Sequence, residues 1–185
     1  MRSIVYGTIA VGVIDGLDAV FFYALRGVPP DRVFQGIASG LLGRAAFFGG
    51  AESVLLGVAI HFLIAFCVVW TCTMVVRRAP ALADAPFAFG VAYGLGVYAF
   101  MNLVVLPLSA AGPPRFSAPA LVNGLVIHIV GVGIPSALAA AYPARAARRA
   151  ASMAAARRSM PFASASGGAD ANPRTSALPR GAPMK

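Results

Sequence analysis

Four apolar stretches, over residues 4–25, 54–76, 86–106 and 119–142, are each long enough to cross a hydrocarbon core, which takes about 20 helical residues. Few folds are open to a chain built this way. Backbone exposed to lipid must satisfy its own hydrogen bonds, so each stretch predicts a helix, and together they predict an all-α, four-helix transmembrane bundle. Charge usage agrees. Charged residues make up 11% of the 185 and hydrophobic ones 59%, whereas an ordinary soluble domain is about a quarter charged. Such a chain has no polar coat to turn toward water, and its first partner is a lipid bilayer.

The first stretch is the least comfortable of the four, because Asp15 and Asp18 lie well inside it. On insertion scales an Asp at mid-helix costs about 2.5–3.5 kcal/mol, so partners within the bundle are expected to offset it. The start at Met1-Arg2 also has the character of a signal peptide. However, the apolar run continues past Asp15 through residues 19–23 with no convincing small-residue cleavage site, and it is read as an uncleaved span.

The formal net charge of +9 is not spread evenly. Arg145, Arg148, Arg149, Arg157, Arg158, Arg174, Arg180 and Lys185 all follow the last apolar stretch. A basic run just beyond a span reads as a cytoplasmic anchor beside anionic lipid. No recognised module accompanies the charge, so no nucleic-acid partner is expected. Residues 143–160 form this basic juxtamembrane segment, while residues 161–185 lack core-forming composition and predict a disordered tail. With the N-terminus inside, Arg2, Arg77, Arg78 and the basic segment share the inner side. The outer side then holds Arg26, Arg32, Arg44 and Arg115. Both termini are expected in the cytoplasm, and the membrane is expected to be a bacterial inner membrane.

The first outer connection is long and not plainly polar. Pro29-Pro30-Asp31 suits a helix start. Beyond it Phe34, Ile37, Leu41, Leu42, Ala45 and Phe48 recur at helical spacing, with Gln35, Ser39 and Arg44 away from them. The pattern predicts an amphipathic helix over about 31–48 lying at the membrane surface. Cys67 and Cys72 have no second pair with which to build a disulfide framework or zinc knuckle, and they read as small apolar fillers.

Polar groups inside a bilayer are costly, so each needs an account. The candidates are Asp15, Asp18, His61, Asn102, Asn123 and His128. At ~1.5 Å per residue, Asp18 falls ~12 Å and Asp15 ~16 Å below the outer end of their span. By the same rise His61 lies ~10–12 Å down, His128 ~14 Å, and the two asparagines ~6–8 Å. Four helices thus place polar side chains in one layer. Asp18, His61 and His128 are expected to converge there, with Asp15 one turn deeper and Asn123 nearer the outer mouth. Such a layer suits a structural network that fixes helix register. It also suits a proton or ion pathway, since a buried carboxylate and a histidine can exchange protons. A third reading takes His61 and His128 as metal or haem ligands of a membrane oxidoreductase. No Gly-x-Ser-x-Gly elbow, phosphate loop or polar Cys–His arrangement occurs. The chain is therefore read as non-enzymatic by default and without a cofactor, while self-association stays open.

Several of these residues carry a resemblance. The run Gly57-Val-Ala-Ile-His61-Phe-Leu, the turn Leu106-Pro107-Leu108, the following Pro113-Pro114-Arg115-Phe116, and His128 together resemble the YagU-like bacterial inner-membrane proteins. The resemblance spans the second to fourth stretches. It implies an inner-membrane location and a link to acid tolerance, and it assigns no reaction. It also implies a carboxylate shortly before the fourth-stretch histidine, where this chain has Asn123.

Overall fold

A computed structural model describes residues 1–114 and 117–159. Arg115 and the tail expected to be disordered, residues 161–185, lie outside the described residues. No strand occurs among the described residues. The helices run in the order α1 (Arg2–Ala24), α2 (Pro30–Leu42), α3 (Gly50–Arg78), α4 (Pro86–Phe100), α5 (Leu106–Leu108), α6 (Ala118–Ile127) and α7 (Ile134–Ser159). π-helical turns join α4 to α5 and α6 to α7. Among the described residues four helical runs, Arg2–Ala24, Gly50–Arg78, Pro86–Leu108 and Ala118–Arg158, are long and apolar enough to cross a membrane. Met1–Ala150 form one compact unit. In the second unit the described residues simply remain helical.

Large apolar side chains face outward, among them Ile9, Leu17, Phe21, Leu55, Leu63, Trp70 and Leu103. The buried positions are mostly small. Val11, Ala65, Val69 and Val132 form one cluster; Cys72, Val76, Ala83, Ala137, Ala140 and Ala141 form another. Lipid tails are as apolar as leucine, so nothing drives big side chains inward. Small residues let helices approach closely and gain packing contacts. On α1 a Cβ at Gly7 would lie 2.9 Å from Val69 of α3 and from Ala139 of α7, and one at Gly12 would lie 2.6 Å from the Phe62 ring. The third and fourth spans touch backbone to backbone. A Cβ at Gly94 would overlap the His128 carbonyl, and one at Gly133 the Gly90 carbonyl.

The π turns, Met101–Val105 and His128–Gly133, each end two residues before a proline, Pro107 or Pro135. A proline has no N–H for the carbonyl four residues back, and its ring crowds that carbonyl; widening the preceding turn relieves both problems. Pro143 behaves differently. The expected end of the fourth span at residue 142 is passed without a break, and α7 continues through the proline into the basic segment.

At the end where α3 meets α4, Arg145 and Arg148 hold the intervening turn, residues 80–84. Arg145 donates to the carbonyls of Ala83 (2.7 Å) and Asp84 (3.1 Å). Arg148 donates to the Pro80 carbonyl and reaches both carboxylate oxygens of Asp84, the shorter contact being 2.9 Å.

The helix expected over 31–48 is α2 followed by a 3-10 segment, Gly43–Phe48. Its polar face is the part that differs from the expectation. Gln35 and Ser39 are buried, at 4% and 6% exposure, while Leu41, Leu42 and Phe48 point outward. The Gln35 amide makes long hydrogen bonds, 3.4 Å each, to the Gly50 carbonyl and Ser53 Oγ at the start of α3. A membrane reverses the usual preference: polar side chains gain partners inside, and apolar ones lose nothing outside.

Candidate functional site

The polar layer is organised by the small-residue face of α1. Gly7, Val11, Gly12 and Gly16 are its buried positions. At about 100° per residue, Asp15 falls in the middle of that arc and Asp18 at its edge. The backbone at Gly12 and Gly16 leaves room for His61 of α3; a Cβ at Gly16 would lie 3.1 Å from its Nε2.

His61 is 8% exposed, with its Nε2 2.8 Å from the Gly12 carbonyl oxygen. A carbonyl only accepts, so Nε2 carries the hydrogen in this contact. The other nitrogen, Nδ1, lies 4.0 Å from Asp15 Oδ2. In a neutral imidazole that nitrogen is a lone pair, and it faces a group that also only accepts when ionised. One proton, carried by either partner, turns two opposed acceptors into a donor and an acceptor. The edges of Phe34 and Phe62 approach the His61 ring, with centroids 6.5 and 5.5 Å away. Phe34 reaches it from α2, where its carbonyl seats against Gly57, one turn before His61.

His128 opens the second π turn. Its Nδ1 donates to the Gly124 carbonyl at 2.9 Å, and its ring meets Tyr98 of α4 edge-on at 5.3 Å. The Asp15 carboxylate lies within electrostatic reach of His128, His61 and Asp18. Asp18 takes a different partner: Asn123 Nδ2 donates to its Oδ2 at 2.7 Å, linking α1 to α6.

The six candidates are thus only partly assembled as expected. The carboxylate that meets His61 is Asp15, and Asp18 pairs with Asn123. Among the described residues Asn102 does not join another span; its amide bonds the Tyr98 carbonyl one turn back in its own helix. Depth along each helix pointed to the layer, but rotation about each axis chose the partners. Sequence reasoning missed Tyr98, Phe34 and the role of Gly12 and Gly16. The last was visible as two glycines four apart flanking Asp15, a spacing that lets a neighbouring helix come close. Among the described residues no group of three or more His, Cys, Asp or Glu side chains is placed to hold a metal ion. His61 is poorly disposed as a haem or metal ligand, since both its ring nitrogens face protein groups.

Compared with protein families, curated proteins and solved structures, the chain matches none.

Proposed function

We propose that the chain is a multi-pass protein of a bacterial cytoplasmic membrane that handles protons through the His61–Asp15 pair. The observation that carries this reading is the orientation of His61. Its Nε2 is committed to the Gly12 carbonyl, so the nitrogen that gains or loses a proton is the one facing Asp15. An ionisable pair inside a span is costly unless it serves a purpose or is fully compensated, and one exchangeable proton compensates this one. Tyr98 and His128 extend the same layer across the third and fourth spans, and the Asp18–Asn123 bond supports its helix packing.

In this reading both termini are cytoplasmic, and Arg77, Arg78 and the basic part of α7 lie beside anionic headgroups. The α2 segment sits in the outer leaflet, with Leu41, Leu42 and Phe48 turned to lipid.

The test is proton flux in liposomes carrying a trapped pH dye, with the membrane potential clamped by potassium and valinomycin. Reconstituted protein should admit protons faster than empty liposomes, and His61→Asn and Asp15→Asn should each abolish the difference while staying helical and monodisperse. Equal flux in the parent and both variants, or none in the parent, would remove the proton reading.

A further inference from the structure

Ser39, Ser53, Thr73 and Ser136 are the buried hydroxyl residues among those described. Three of them turn the hydroxyl back to a carbonyl of their own helix: Ser39 to Gly36 at 2.6 Å, Ser53 to Gly50 at 2.9 Å and Thr73 to Val69 at 2.8 Å. Ser136, 0% exposed, does not. Its Oγ is enclosed without a hydrogen-bond partner among the described residues, and the same holds for Thr8 Oγ1 on α1. Both hydroxyls are therefore aimed away from the carbonyls that ordinarily satisfy them. Inside a bilayer an enclosed polar atom of this kind is costly, and two of them close together call for a shared partner.

Helix register brings them together. A Cβ at Gly7 would lie 2.9 Å from Ala139, and one at Gly131 would lie 2.8 Å from Ile14. The first and fourth spans thus run antiparallel, with residue 7 beside 139 and residue 14 beside 131. On that register Thr8 and Ser136 are offset by about two residues, ~3 Å along the axes. Thr8 lies two turns inward of Asp15, in the middle of the buried arc of α1. Around α7, Ser136 falls between two sets of neighbours. Val132 packs with Val11 and Val69, whereas Ala137 and Ala140 pack with Cys72 and Val76. Ser136 therefore faces the wedge between α1 and α3, which Thr8 enters from the other side.

We propose that Thr8 and Ser136 form a binding site for one buried water molecule, which ties α1 to α7. A hydroxyl both donates and accepts, so a water between the two can donate to one oxygen and accept from the other. That gives it the two polar partners a buried water requires. The site offers two neutral hydroxyls and no charge, and this chemistry suits water and not a metal ion. The inference is independent of the proton reading, which uses Asp15 and His61. Val11, Ala65 and Val132 pack together between the two levels and keep them apart.

The test is a double-mutant cycle on the full chain, read by unfolding in mixed detergent with increasing dodecyl sulfate. Thr8→Val keeps the shape of the side chain, and Ser136→Ala removes only the oxygen. Each should raise the unfolding constant about three- to fifteenfold, the range spanned by polar contacts between membrane helices. The double variant should stay within about twofold of the larger single loss, because either change alone already breaks the bridge. Single variants as stable as the parent or more so would overturn the proposal, since removing an unpartnered hydroxyl relieves a desolvation cost. Losses that multiply in the double variant would also overturn it, by making the two hydroxyls separate. A structure from crystals grown in a lipidic mesophase, at a resolution that shows ordered water, decides what carries the coupling. One water within hydrogen-bond distance of both oxygens is expected. A direct Thr8–Ser136 bond, or each hydroxyl on a carbonyl of its own helix, would overturn the water site even if a variant failed to fold.

Discussion

Asn102 and Asn123 look alike in the sequence: each is a lone amide at similar depth in an apolar helix. Their environments separate them. Asn123 joins two spans by donating to Asp18, whereas Asn102 bonds a carbonyl of its own helix. Polar contacts between membrane helices average ~0.6 kcal/mol and reach ~1.7. Asn123→Ala should therefore cost about 1–2 kcal/mol, near the top of that range, because it strands a carboxylate. For Asn102→Ala less than ~0.5 kcal/mol is expected, since no second helix loses a partner. Unfolding in mixed detergent with increasing dodecyl sulfate would measure both. Equal losses would mean that the Asp18–Asn123 bond does not tie the helices. The same contrast explains how Asp15 and Asp18 exchanged roles. Depth follows from counting residues, but the ~60° between two positions three apart decides which one faces α3, and that angle has meaning only against a neighbour.

Glycine carries most of the packing between elements, and its positions are not equivalent. At Gly57 a Cβ would overlap the Phe34 carbonyl, so α2 stays against α3 only if that position has no side chain. At Gly96 nothing lies within 4 Å of the same atom. Gly57→Ala should destabilise the protein by about 1–3 kcal/mol, the usual cost of overpacking, and loosen α2. Gly96→Ala should be neutral or stabilising by up to ~1 kcal/mol, from helix propensity. Dodecyl sulfate unfolding, with trypsin cleavage after Arg32 to report on α2, would separate the two. Cleavage unchanged in Gly57→Ala would show that α2 does not depend on this contact. The existence of α2 was legible from Pro30 and the helical spacing that follows. Its contact face was not, because the polar side was expected at the membrane surface, and only the neighbouring helix decides that Gln35 and Ser39 turn toward α3.

For the whole molecule, the turn between the second and third spans is bonded to α7 through Arg145 and Arg148. Arg77, Arg78 and the start of the basic segment therefore lie at one end, as the arginine count expects. Alkaline phosphatase fused after Gly50 should be active in a bacterial periplasm, and a fusion after Arg158 should be inactive; the reverse pattern would invert the topology. The number, type and approximate length of the spans were already determined by the chain itself. A lipid-embedded backbone can satisfy its own hydrogen bonds within a single helix, without reference to any neighbour. The lining of the interior was decided only in the tertiary structure. In these spans the exposed and buried faces are both apolar, so hydrophobic periodicity does not mark which one turns inward. Close glycine contacts, proline-widened turns and the rotation of each helix against its neighbours made that choice, and with it set His61 against Asp15 and Asn123 against Asp18.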